Sequence, residues 1–345
     1  MADLYDTAVL LGLIESAPAN PQHLLRTFYG ATQTEESEDI HFDVIKRGRA
    51  VAPFVSPLVE GQIVRAAGYS TKTFRPAYVK PKSVINPRRA LKRAPGEQPL
   101  GRLSLAQREQ LHVRDAMRDH RSQIERRLEV MAAEATVFAR VTVVGEKYPE
   151  VVVDFGRDPE LSIAALTTTA KWTHADSKPL DNIEAWCQRV LRIEGVVVTD
   201  VYMTLDAWNA FAAHAQVKEA METRRFIRGQ LDSTRPSDVG AVYRGQVDGR
   251  NIWTYQDWYL DPLTGTEQPM VPDGYVFGVS SAIDGVQAYG AVAVAEGDDQ
   301  IRLMAEPFVP SAWVEKDPPV RIVMTQSAPL VVPTRPDATF ACKVV

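Results

Sequence analysis

His174 and Asp176, in the run Trp172-Thr-His-Ala-Asp176, are side chains of types that bind divalent metals, set two positions apart. No second His or Cys stands near them. The chain's six histidines form neither an HExxH run nor any other paired-ligand pattern. The pair reads as part of a polar surface loop. Cys187 is a candidate nucleophile, but it lies between Trp186 and Val190 on a stretch of helical periodicity, with no basic partner specified. That is the setting of a buried structural thiol. There is no G-x-S-x-G elbow. Gly245 and Gly249 are not followed by the Lys-Ser/Thr of a phosphate loop, and they fall within a hairpin. The sequence therefore predicts no catalytic residue, no metal site and no cofactor. A hydrolase with its site in the middle third would lack a nucleophile–base pair.

The remaining chemistry is cationic. Gly61 to Arg102 holds ten Lys or Arg (Arg65, Lys72, Arg75, Lys80, Lys82, Arg88, Arg89, Lys92, Arg93, Arg102) against one acid, Glu97. Ala31 to Asp43 is the reverse, with five acids and no Lys or Arg. Basic side chains in such density can grip phosphates, so a nucleic-acid-binding protein using 61–102 is one reading. Stacking platforms need interleaved aromatics, however, and only Tyr69, Phe74 and Tyr78 are available. The formal net charge of the whole chain is −5. Complementary patches also steer self-association. On that reading the basic segment meets Glu35, Glu36, Glu38 and Asp39 of another copy.

The elements that position these residues follow from patterning. From about Pro53 to Pro87 the chain alternates like two strands of roughly 15 residues, about 50 Å long at ~3.3 Å per residue. Seven prolines fall between Pro53 and Pro99, which excludes a central strand and favours edges and extended arms. Gly68 stands where a reversal would occur. A lone two-stranded hairpin is marginal in water. The expected support is a second molecule.

Ser104-x-x-Gln107 has the form of a capping box. It opens a helix of about 30 residues, whose apolar stripe is Val113, Met117, Ile124, Leu128, Met131 and Ala135. Interleaved acids on its other faces make its arginines a solvated, salt-bridged surface. Short helices are expected within Leu4–Glu15 and Pro21–Tyr29. Others begin at Asp181, Thr204 and the basic stretch running to Arg228. Strands are expected at Phe42–Val51, Arg140–Val144, Glu150–Phe155, Val196–Val198, Ala241–Val247, Asn251–Tyr255, Tyr275–Val279, Val286–Val294, Arg321–Thr325 and Phe340–Val345. Asp248-Gly249 is a two-residue hairpin turn. This mixture is an α+β architecture. Two distant thiols, Cys187 and Cys342, suit a reducing compartment. No positive n-region precedes the N-terminal apolar residues, and no window reaches the length needed to span a bilayer. The expectation is a soluble protein made in the cytoplasm.

Several segments resemble the lambda-type major capsid protein (protein E) family of tailed bacteriophages. They are Phe54-Val-Ser-Pro-Leu-Val-Glu-Gly-Gln-Ile-Val-Arg65, Pro76-Ala-Tyr-Val-Lys-Pro-Lys82, Asn86-Pro87, Leu91-Lys-Arg93 and Met324-Thr-Gln-Ser-Ala-Pro-Leu330, followed by Pro336-Asp337. The resemblance implies the tailed-phage major capsid protein fold. Its parts would be an N-terminal arm (1–40), an extended β-hairpin loop (53–87), a peripheral domain with a long spine helix (41–52 and 88–182, helix 104–137), an axial domain (183–320) and C-terminal strands returning to the body (321–345). It implies a structural subunit that forms homopentamers and homohexamers of an icosahedral shell around double-stranded DNA, located in the virion. A scaffold protein, a portal and a decoration or cement protein are the implied partners, with packaged DNA touched non-specifically and no membrane. The inter-subunit contacts would involve Arg65, Gly68, Tyr69, Lys72, Phe74, Arg75, Tyr78, Lys80 and Lys82 of the loop. Gly68-Tyr69 stands where the family pattern has paired glycines. Lys72 is the residue a covalent loop crosslink would use, but the lambda-type resemblance does not support that chemistry.

Overall fold

A computed structural model describes residues 7–16, 22–45, 51, 54, 69–86, 104–145, 148–222, 229–230, 240–296, 300–317 and 319–345. Its helices are α1 (Thr7–Glu15), α2 (His23–Phe28), α3 (Leu105–Phe138), α4 (Pro179–Ile193), α5 (Leu205–Ala213) and α6 (Ala215–Glu222).

The capping box is complete. Ser104 Oγ accepts from Gln107 N–H at 3.2 Å, and Gln107 Oε1 accepts from Ser104 N–H at 2.8 Å. The helix that follows has 34 residues, roughly 51 Å at 1.5 Å per residue. All six stripe residues are buried. Its C-terminus closes on Ala139 in the left-handed region, φ 51°. For a residue with a Cβ this costs roughly 1–2 kcal/mol. The last carbonyls are not left bare. The buried Arg157 guanidinium donates to Thr136 O (3.2 Å) and Val137 O (2.8 Å), placing a cation at the negative end of the helix. Burial pushes that guanidinium down to about 10, with Asp337 opposing the shift.

The central sheet runs in the order Ser162–Ile163, Thr339–Lys343, Tyr275–Val279, Asp200–Met203, Arg250–Tyr255, Ala241–Val247, Gly229–Gln230. Its strands alternate between two cores, as side chains of period two must. Tyr202, Tyr255, Phe277 and Ala341 pack against α2 and the C-terminal half of α3. Val201, Met203, Ile252, Val276, Phe340 and Cys342 face Ile183, Trp186 and Val190 of α4, Phe211 of α5 and Val217 of α6. The result is three layers, helix, sheet and helices. Gly278 faces Phe340 across the strand pair, and a Cβ at Gly278 would lie 2.1 Å from that ring. Two further sheets cover α3. One joins Ala31–Thr34, Gly285–Tyr289 and Pro329–Pro333. The other joins Val309–Lys316, Pro319–Gln326 and Lys82–Ile85, and packs through Val323 and Ile85 onto Leu10, Ile14, Val113 and Met117.

Several expectations change. The described part of the returning arm pairs with strands outside the loop, and the 55–67 arm lies outside the described residues. Tyr69–Phe74 pairs antiparallel with Ile40–Ile45, and Lys82–Ile85 pairs with Arg321–Met324. Ile40, Phe42 and Val44 turn inward and are buried, so the base of the ribbon rests on its own chain. The reason is hydrophobic: the outgoing strand begins at Ile40, where alternating apolar residues supply a buried face. The part at 55–68, including Arg65 and Gly68, lies outside the described residues.

The expected 183–320 unit divides near Ser280. Asp200–Met203, Gly229–Gln230, Ala241–Val247, Arg250–Tyr255 and Tyr275–Val279 build the central sheet, whereas Gly285–Tyr289 and Val309–Lys316 belong to the sheets on α3 and α1. The last strand, Thr339–Lys343, inserts into the central sheet. The expected strand Val286–Val294 breaks at Gly290, where a Cβ would sit 2.9 Å from Glu38 O. Val196–Val198 is not a strand; the strand starts at Asp200. Thr204 precedes α5 but does not cap it with its side chain, because its Oγ1 accepts from Gly274 N–H at 3.0 Å. Helix α4 begins at Pro179, two residues before Asp181, using proline's preference for the first helical position.

Candidate assembly surfaces

The residues with catalytic or metal-binding types are scattered. His174 Nδ1 lies 3.5 Å from Asp176 in an exposed turn. Among the described residues no group of three or more His, Cys, Asp or Glu is placed to hold a metal. Cys187 and Cys342 are buried, and burial pushes both thiols up to about 12. A thiol held that far from ionisation is a poor nucleophile at neutral pH.

The expected loop and acidic residues do come together, but within one chain. Arg75 pairs with Glu38 (2.8 Å) and Asp39 (3.2 Å). For these three residues the anticipated charge complementarity is intramolecular. The Arg75 side chain is 67% exposed, so solvent screening limits each pair to about 0–1 kcal/mol. Tyr78 Oη donates to Glu38 Oε1 (3.3 Å) and to Ala291 O (3.4 Å). Burial and the Glu38 charge push its phenol up. Lys72, opposite Phe42 in the register, donates from Nζ to Asp154 O at 2.6 Å. Phe74 packs against the main core. Lys80 lies over the Tyr78 ring at 4.6 Å, and Lys82 over the Trp313 ring at 5.3 Å. Glu35 accepts from Gln33 Nε2 (2.7 Å), and Glu36 is exposed. Tyr69 pairs with Ile45.

These contacts frame a groove of about 590 Å³. One wall is the segment Arg75–Lys80. The second is α3 through Arg127, Val130, Met131 and Glu134. The third is the hairpin Arg140–Gly145/Tyr148–Asp154, which contributes Val143, Val144 and Tyr148. Glu134 accepts from Thr142 N–H at 2.8 Å, while burial pushes its carboxyl up. The site is concave, with a largely apolar lining and charged side chains among its walls.

Other uncovered apolar surfaces exist. Val51 and Phe54 are 88% and 105% exposed. Val84 and Trp313 lie on either side of Ile322 on one face of the sheet over α1. Ile301 and Leu303 are exposed on the hairpin Val292–Glu296/Gln300–Met304. Charge counting in 61–102 finds the lysines and misses the groove, whose other walls come from α3 and a hairpin 50 or more residues further on. The Ile301 hairpin did carry a local signal: alternation from Val292 followed by Gly297-Asp-Asp.

Two buried polar junctions also escaped sequence reading. Glu129 of α3 accepts from Leu24 N–H (2.9 Å), Leu25 N–H (2.8 Å) and Tyr255 Oη–H (2.8 Å), clamping α2. Burial pushes its carboxyl up, although these three bonds pull the other way. His120 joins Ser83 (2.8 Å) and Thr325 (3.1 Å), tying the end of the loop segment and the strand Pro319–Gln326 to α3.

Comparison with known proteins agrees with this architecture. The sequence model described as Phage major capsid protein E matches residues 6–344. The major capsid protein of Escherichia phage lambda is 30% identical, covering 97% of each chain. The prophage-derived major head protein of Escherichia coli O6:H1 is also 30% identical, over 99% of each. Among solved structures, the putative capsid protein of an E. coli CFT073 prophage superposes with a TM-score of 0.70 at 19% identity, covering 98% of this chain and 99% of that one. The bacteriophage PhiM1 mature capsid gives 0.50 at 11% identity, covering 95% and 88%. These findings support a shell protein and not the nucleic-acid-binding alternative. The chain belongs to the phage major capsid protein E family, with the tailed-phage major capsid fold and a structural rather than enzymatic role in the shell.

Proposed function

We infer that this subunit builds an icosahedral shell from homopentamers and homohexamers, with the loop of each copy lying over a neighbour. The observation that carries this reading is the exposure of Val51 (88%) and Phe54 (105%) on the chain between the two ribbon strands. Covering such side chains with another molecule removes apolar surface from water and is favourable. The ribbon base is anchored on its own body. The segment between the two ribbon strands would reach the adjoining subunit. Arg65, Gly68, Tyr69, Lys80 and Lys82 would make the contact, with Glu35 and Glu36 among the receiving acids. Lys72, Phe74, Arg75, Tyr78, Glu38 and Asp39 would hold the base of the loop in position.

Residues 1–40 serve as an arm, α3 as the spine of a peripheral domain, and the central sheet with α4–α6 as the axial domain that meets its counterparts around the ring. Contacts between unlike patches close into rings. A scaffold protein, a portal and a cement protein are the fitting partners during assembly in the host cytoplasm. The net charge of −5 suits a container that must not grip the double-stranded DNA it holds. No helix among the described residues is long and apolar enough to cross a membrane.

The test is negative-stain imaging and gel filtration of the purified chain, with and without a scaffold protein. Rings or shells are expected from wild type. The combined variant Lys72→Glu, Arg75→Glu, Lys80→Glu and Lys82→Glu is expected to fold but not to assemble. Normal shells from that variant would refute the loop's role.

A further inference from the structure

We propose that the hairpin Val292–Glu296/Gln300–Met304 of one copy seats in the groove beside α3 of another copy. This rests on the self-assembly reading above and names a contact distinct from the loop. The hairpin's register places Ala293 opposite Leu303 and Ala295 opposite Ile301, so these four share one face. Ile301 is 82% and Leu303 52% exposed, so this face is uncovered in the chain itself and does not fill its own groove.

The groove offers what that face lacks. Val130, Met131, Val143 and Tyr148 are among its apolar lining. Glu38 is paired with Arg75 and Tyr78, while Glu134 accepts from the Thr142 amide and keeps its charge when ionised, with Arg127 near enough to favour that form. Lys80 sits on an aromatic ring, and among the described residues neither Lys80 nor Arg127 has a carboxylate within ion-pair distance. Across the lining, Arg75, Lys80 and Arg127 stand against Glu38 and Glu134, so the rim carries one excess positive charge. In sequence, Glu296 to Gln300 carries three acids, Glu296, Asp298 and Asp299, and no base. An acidic apolar hairpin complements a cationic apolar groove.

The other candidate occupant within this chain is the loop of a neighbour, and its charge is wrong. Residues 46–68 contain Lys46, Arg47, Arg49 and Arg65 against Glu60 alone, the same sign as the rim. Groove and hairpin are different patches, so the contact is heterologous and propagates from copy to copy.

The test is a charge exchange, read by the subunit concentration at which particles form and by electron microscopy, with near-ultraviolet circular dichroism as the folding control. Arg127→Glu alone, and Asp298→Lys with Asp299→Lys, are each expected to raise that concentration by roughly tenfold or more, as removal of one strong interface interaction does. Combining the three substitutions is expected to restore assembly, which a variant that merely misfolds could not do. Ile301→Ser with Leu303→Ser is expected to fold and to fail in assembly. Three results would overturn the docking alone: normal assembly of both charge variants, no restoration in the combination, or improved assembly of Arg127→Glu, which would point to the basic loop as occupant. Failure of wild type to form any particle would instead remove the assembly reading, and this contact with it.

Discussion

Helix α2 and the ribbon Ile40–Ile45/Tyr69–Phe74 are neighbours in sequence, yet the chain holds them by opposite means. Around α2 the polar contacts are buried. Glu129 is 1% exposed and receives three hydrogen bonds, and His23 Nε2 meets Tyr202 Oη at 3.0 Å among aromatic rings. Around the ribbon the apolar residues turn inward, while the polar contacts stay in water: Thr71 to Asp43, His41 with Thr73, and Arg75 to Asp39. Buried polar groups left unpaired are expensive, whereas exposed ones fall back on solvent. The first region is held by contacts within one molecule, although the side-chain amide of the buried Gln22 at the start of α2 has no partner among the described residues. The second keeps its polar contacts on an exposed outer face.

The sharpest way to break this contrast is at Glu129. Glu129→Ala would leave two amides without an acceptor and the buried Tyr255 phenol with only the Met270 sulfur, at 3.2 Å. A loss of roughly 3–5 kcal/mol of unfolding free energy is expected, at 1–3 kcal/mol per unsatisfied group, measured by denaturant titration. A loss below 1 kcal/mol would mean that α2 is not clamped as described. Next in size is Gly278→Ala within the central sheet. The new Cβ meets the Phe340 ring, and overpacking of this kind costs about 1–3 kcal/mol. A wild-type melting temperature would show that the ring can move aside.

The third test concerns pH. Burial, the largest influence, holds His120 below its ordinary value. The unfolded chain takes up the proton near pH 6.5, before the folded chain does. Stability is thus full above that value and declines as pH falls through the interval between the two. His120→Gln should flatten this part of the pH–stability profile, and an unchanged slope would reject the assignment. The smallest effect belongs to the ribbon. Arg75→Ala should change monomer stability by less than about 1 kcal/mol, as an exposed pair allows. A larger loss in thermal melts would make the ribbon as self-contained as α2.

What could be read from the sequence was local. The capping box at Ser104 and Gln107 and the stripe from Val113 to Ala135 were legible because they concern residues within one or two turns of each other. Asp248-Gly249 was legible because both residues must take positive φ, 48° and 79°. The pairing of Ile40–Ile45 with Tyr69–Phe74 was not, because nothing in alternation alone says which strand answers which. The break at Gly290 depends on the Glu38 carbonyl, and the Glu129 clamp on amides 104 and 105 residues away. For the candidate surfaces, the charges were visible as a run. Their division into pairs made at home and cations left at the groove needed the fold.

The 34-residue α3 borders the sheet over α1 at one end and the central sheet at the other. A rod shared by both ends of the body turns a push on either into a tilt felt at the far side. A shell made of such pieces has stiff panels and compliant seams. Changes in its curvature would be absorbed between subunits, while each panel keeps its shape.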